Sequence, residues 1–179
     1  MASKTYTTSE INDIYNARKV LINILERRGF DTTGYNNFNV NEIQSMAEND
    51  QLDMLLNSKE EDGGEPIKKM FVKYHLTKLS NPAVYDIIDD LFSVDDILSK
   101  KDELIIIVKD KPNVKIQQLV ELIYKTDSIY FNISSVKEYM FNILDHHMVP
   151  QHRVMTNAEK ENVKTKYNVV KDKEFPEIS

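Results

Sequence analysis

The run Leu104-Ile105-Ile106-Ile107-Val108 constrains this chain most. A strand sends successive side chains to opposite faces. An unbroken apolar run, mostly β-branched, therefore fits a strand covered on both sides. Glu103–Val108 is read as a central strand, and such a strand needs helices packed around it. The flanking residues supply them. Val84, Ile87, Ile88 and Leu91 make an apolar stripe in a helical region that begins at Asn81-Pro82, and Ile97-Leu98 extends it. Ile116, Leu119, Val120 and Ile123 make another after the turn Lys109–Asn113. Strands alternating with helices imply an α/β domain over residues 1–143, a mixed sheet with flanking helices.

The same reading places the other elements. Thr7 and Glu10 have capping-box spacing, so a helix starts there. Its face carries Ile11, Ile14, Tyr15, Leu21, Ile22 and Leu25, and Gly29 ends it. A short helix is expected near Val40–Ala47. Leu52–Leu56 and Ile67–Leu76 read as a hairpin-like strand pair around the turn Lys59–Pro66. Ser128–Ile133 and Tyr139–Leu144 read as two further strands. Asp145–Arg153 is a polar, histidine-rich turn. Thr156 and Glu159 repeat the capping-box spacing ahead of a helix to about Tyr167, and Phe175–Ser179 is extended.

Composition narrows the chemistry. The chain has 179 residues, 29% charged and 41% hydrophobic, which suits a folded chain rather than a disordered tail. No apolar stretch approaches the ~20 residues of a membrane helix, and the polar start argues against secretion. The absence of cysteine removes disulfides, thiolate metal sites and a thiol nucleophile. A net charge of −6 does not favour gripping nucleic acid unaided. Only 4 glycines are present, and they form no phosphate loop. No glycine elbow surrounds any serine. Lysine, isoleucine and asparagine are abundant, as in A+T-rich genomes.

Three clusters invite a site. His146, His147 and His152 are either metal ligands or imidazoles that hydrogen-bond a turn or meet a partner. They lack the His-Glu-x-x-His arrangement and Pro150 interrupts them, which favours the second reading. The acids Asp86, Asp89, Asp90, Asp95 and Asp96 are either a magnesium site or a solvated face, and the second reading is favoured because nothing in the sequence orients them. A divergent nuclease on a restriction-endonuclease-type α/β fold is the alternative function, with Asp53 and Lys73 as its first parts. It has Phe71 where a second metal-binding acid belongs.

The segment Asp145-His146-His147-Met148-Val149-Pro150-Gln151-His152-Arg153-Val154-Met155-Thr156 closely resembles a stretch of the fifth subunit of eukaryotic RNA polymerases and of its archaeal counterpart. Lys166-Tyr167 and Phe175-Pro176-Glu177-Ile178 resemble its later motifs. Ile14–Val20, Glu26–Phe30, Met70–Val72 and Ile105–Val108 resemble its N-terminal half. The resemblance implies an α/β N-terminal jaw domain, residues 1–143, plus a small α+β C-terminal assembly domain, residues 144–179. It implies a non-catalytic subunit of DNA-directed RNA polymerase with no cofactor, metal or small-molecule ligand. Its partners would be the largest subunit, other polymerase subunits and, within the complex, downstream DNA. No membrane is involved.

By the same resemblance, His146, Met148, Val149, Pro150, His152, Thr156, Tyr167, Phe175 and Pro176 belong to the assembly domain. Lys109, Lys111, Asn113 and Lys115 match a loop facing downstream DNA, and those lysines read equally as a solvated turn. Glu177 stands where the family has arginine. The family continues past the point matched by Ser179, so the assembly domain is expected to be truncated, or the chain to be a fragment. A cellular copy would be nuclear. A large DNA virus, towards which the composition leans, would place it in a cytoplasmic factory and the virion.

Overall fold

The computed structural model describes residues 5–59, 68–149 and 155–167. The chain divides into two compact units, Met1–Asn142 and Ile143–Ser179.

The first unit is built on a four-stranded sheet. Its strands are β1 (Met54–Asn57), β2 (Lys69–His75), β3 (Glu103–Val108) and β4 (Phe131–Ser135), in that spatial order. β1 runs antiparallel to β2, whereas β3 runs parallel to both β2 and β4. The sheet is therefore mixed, and β3 lies inside it. Ile105 and Ile107 join one apolar core. Leu104, Ile106 and Val108 join a second core on the other face. Two buried faces explain why this strand carries no polar alternation. β2 alternates instead, with Met70, Val72 and Tyr74 buried and the residues between them half-buried.

Helices cover both faces. α1 (Thr8–Arg27) buries Ile11, Ile14, Ala17, Leu21, Ile22 and Leu25 in the first core, and α2 (Val40–Glu48) adds Ile43 and Ala47. α3 (Asn81–Asp89) and α4 (Val114–Asp127) cover the second core through Val84, Ile87, Ile88, Ile116, Leu119 and Ile123. The Thr7 box forms as its spacing predicts: the Glu10 amide donates to Thr7 Oγ1 at 3.3 Å and the Thr7 amide to Glu10 Oε2 at 2.8 Å. Gly29 ends the helix at φ 87°, a conformation open to glycine at little cost.

Long-range polar contacts fasten the layers. Arg18 is 2% exposed, and its Nη1 donates to the Leu52 carbonyl at 2.5 Å. Its guanidinium lies 5.6 Å from the Tyr74 ring centroid and 5.9 Å from that of Tyr35, and both ring faces attract the cation. Burial pushes the Tyr74 phenol up to about 12. The Tyr35 hydroxyl donates to the Leu55 carbonyl and accepts from the Leu55 amide, each at 3.1 Å. It thereby satisfies backbone groups on the outer edge of β1, where an open edge would invite pairing.

Three expectations are corrected. Tyr139–Leu144 is not a strand. After β4 the chain turns into a 3-10 helix, Val136–Tyr139. Val136 enters the first core, and the adjacent residues Tyr139 and Met140 both pack against it. Neighbours sharing one side is turn geometry, not strand geometry. The last strand also starts later than Ser128. α4 runs to Asp127, and Ser128 caps it in the left-handed conformation at φ 58°. Finally, Ile97-Leu98 does not extend α3. The helix widens into a π turn over Asp90–Val94, and Asp96 reverses the chain at φ 49°. The Ile97 and Leu98 amides then both donate to the Leu91 carbonyl. Leu98 still reaches the second core, by folding back.

In the second unit, the described elements are a 3-10 turn, Ile143–Asp145, and α5 (Asn157–Tyr167). The Thr156 box forms at its start, with the Glu159 amide 3.4 Å from Thr156 Oγ1 and the Thr156 amide 2.9 Å from Glu159 Oε2. Most of the expected turn at 59–66 and the extended end at 175–179 lie outside the described residues.

Candidate functional site

The loop after β3 opens a cleft of about 430 Å³ with the loop after β2. Lys78 and Leu79 line one side and Lys109, Asp110, Lys111, Pro112 and Asn113 the other. Both loops follow the C-terminal ends of parallel strands, where ligands of α/β sheets generally bind. Both also lead into helix starts, α3 capped by Ser80 and α4 by Asn113. Helix starts present free N–H groups and a positive partial charge.

The loop residues do different work. Lys109 is tied to Glu10, so the α1 capping-box carboxylate also anchors this loop. The Lys109 ammonium and the Thr7 backbone amide hold the Glu10 carboxyl down to about 2. Asn113 Oδ1 accepts from the Ile116 amide at 2.9 Å, which is a capping role. Lys111 and Lys115 are exposed and form no ion pair with a described residue. Lys78 joins the cleft from a loop distant in sequence. Nothing near it in the chain marks it; the parallel pairing of β2 with β3 brings the loops together.

The histidine turn is partly described. His146 Nδ1 accepts from the Met148 amide at 3.2 Å, and the Val149 amide donates to the His146 carbonyl at 2.9 Å. The His146 and His147 rings are 4.6 Å apart. These contacts give His146 a turn-building role. Met148 is exposed and Val149 half-buried, while Thr156 caps α5 and Tyr167 ends it with its ring exposed. Pro150, His152, Phe175 and Pro176 lie outside the described residues. Among the described residues, no group of three or more His, Asp or Glu side chains is placed to hold a metal ion.

Nothing supports the nuclease alternative. Asp53 Oδ2 pairs with Lys73 Nζ at 2.6 Å, and Oδ1 accepts from the Tyr74 amide at 2.8 Å. The carboxylate is engaged in pinning the residues ahead of β1 to β2. Phe71 packs its ring against the second core.

No curated protein matches the chain. Residues 141–179 match the family described as RNA polymerase Rpb5, C-terminal domain. They include the whole histidine-rich segment Asp145–Arg153 and all of α5. Through this C-terminal segment the chain is similar to RNA polymerase subunits of the Rpb5 type.

Proposed function

We propose that this chain is a non-catalytic subunit that docks on the largest subunit of a multisubunit DNA-directed RNA polymerase and lends its N-terminal unit to the jaw around downstream DNA. The carrying observation is the match over residues 141–179. Exposed apolar side chains in that segment agree with it. Ile143 is 63%, Leu144 61% and Met148 74% exposed, large apolar side chains available to a partner. In this reading Lys78, Lys111 and Lys115 face duplex phosphates, contacts that position DNA without reading its sequence. The net charge of −6 suits a subunit that meets DNA only when other chains hold it. Nucleotide chemistry belongs to the large subunits.

The test is a tagged pull-down from the native source, with mass spectrometry of the partners. Recovery of the two largest polymerase subunits is expected. Their sequences would also distinguish a nuclear enzyme from a viral one. The double change Pro150→Ala with His152→Ala is expected to lower recovery. Recovery of the tagged chain alone, or only with proteins foreign to transcription, would overturn the reading.

A further inference from the structure

We propose that a groove between the C-terminal half of α3 and the end of α4 docks a basic segment of a partner protein, anchored by an aromatic or aliphatic side chain. The inference does not depend on the polymerase reading.

The groove measures about 620 Å³. Its floor is apolar, formed by Ile88, Leu98 and Ile129, all at most 8% exposed. Tyr85, 48% exposed, and the half-buried Phe92 give it aromatic walls. Such a lining offers a seat to one large side chain, the usual centre of a binding site.

The rim supplies the second half of the chemistry. Asp86, Asp89, Asp96 and Asp127 line the groove, with Lys100 as the cation among its lining residues. None of these carboxylates forms an ion pair with a described residue; Asp127 accepts a hydrogen bond from Thr126 Oγ1 at 3.0 Å. Their positions are unfavourable within the chain. Asp89 lies in α3 just ahead of its π extension, Asp96 follows the end of that extension and Asp127 ends α4. Helix C-termini carry negative partial charge and favour lysine or arginine, yet neither α3 nor its π extension has a basic residue in its last turn, and α4 has Lys125 there. The two helix ends and the carboxylates reinforce one another, and an arriving cation relieves both.

The charge pattern selects the occupant. No group of carboxylates among the described residues is gathered to hold a metal ion. The charge is instead spread along the groove, as a chain carrying several cations requires. A nucleic acid would be repelled. The topology also separates this groove from the basic cleft. α3 and α4 both start at the C-terminal ends of the parallel strands and finish at the opposite ends, so their dipoles align with lysines at one end and aspartates at the other.

The experiment titrates the purified full chain with a fluorescent oligolysine peptide carrying a central phenylalanine. Anisotropy and amide NMR shifts are recorded. Saturable binding is expected, with shifts centred on 85–99 and 127–129. Asp89→Asn with Asp127→Asn should weaken it at least about tenfold, as should serine in place of the peptide's phenylalanine. The control Glu48→Gln with Glu121→Gln, at acids outside the groove, should leave affinity unchanged. Absence of binding, equal weakening by the control, or shifts scattered over the acidic surface would overturn the proposal. Unchanged amide spectra of the free variants guard against misfolding as the cause.

Discussion

Asp102 fastens the entry to the central strand with one carboxylate. Its Oδ1 accepts from the Lys69 amide at 2.7 Å, and its Oδ2 from the Ser99 amide and hydroxyl at 2.8 and 2.7 Å. Burial opposes its ionisation, but these donors outweigh it and hold the carboxyl below its ordinary range. Glu103 behaves alike: burial resists the charge, and hydrogen bonds from Lys68 and Arg28, at 2.6 and 2.7 Å, lower the pKa nonetheless. A carboxyl lowered in the folded state stabilises above its unfolded pKa, and that contribution fades as pH falls through the folded value. Stability should therefore decline with acid below about pH 4, the ordinary carboxylate range. Asp102→Asn should cost about 1–3 kcal/mol at pH 7 and flatten the acid limb, checked by urea melts at pH 7 and pH 3. Equal slopes for both proteins would count against this account. The Thr7 and Glu10 pair is legible in the sequence because its bonds are local. Asp102 is not, because one donor comes from the far side of a strand crossover, 33 residues away.

Among the elements, periodicity carried furthest where an element sits on one core. α1 and α2 follow their apolar spacing because burial on a defined face produces that spacing, whereas β3 shows an unbroken apolar run because both its faces are buried. Ile106, 0% exposed in the second core, should lose about 2–5 kcal/mol on change to alanine. Leu55→Ala, on the exposed face of β1 at 39%, should cost much less. Denaturant melts of both variants decide the matter, and similar losses would contradict a β3 buried on two faces. Thr7→Ala should cost about 1 kcal/mol through the lost cap, read in the same melts. Periodicity misleads at Tyr139–Leu144, an apolar-rich stretch that pattern alone assigns to the sheet. Val136 instead draws the chain off the edge of β4 into the core beneath α1.

Across the molecule, charge placement matters more than net charge. A chain at −6 still gathers Lys78 and Lys111 at one cleft beside two helix starts, with Lys115 in the first turn of α4. On the proposed jaw role, Lys111→Ala with Lys115→Ala in the polymerase complex should weaken downstream-DNA binding and reduce the log–log salt slope by about 1–2. DNA-binding titrations at several salt concentrations measure it, and an unchanged slope would remove these lysines from the DNA interface. Residue order was enough to read the α/β class, the capped starts of α1 and α5, the central strand and the family resemblance of the histidine-rich segment. Those are local or periodic properties, written in residues close together along the chain. Strand pairing had to be known before Lys109 could be seen spent on Glu10, Lys78 joining the cleft, or Asp127 meeting the acids of α3 across a groove. Each depends on which strands pair and in which direction, and that choice is made by burying both faces of one sheet, a condition no single stretch of sequence displays.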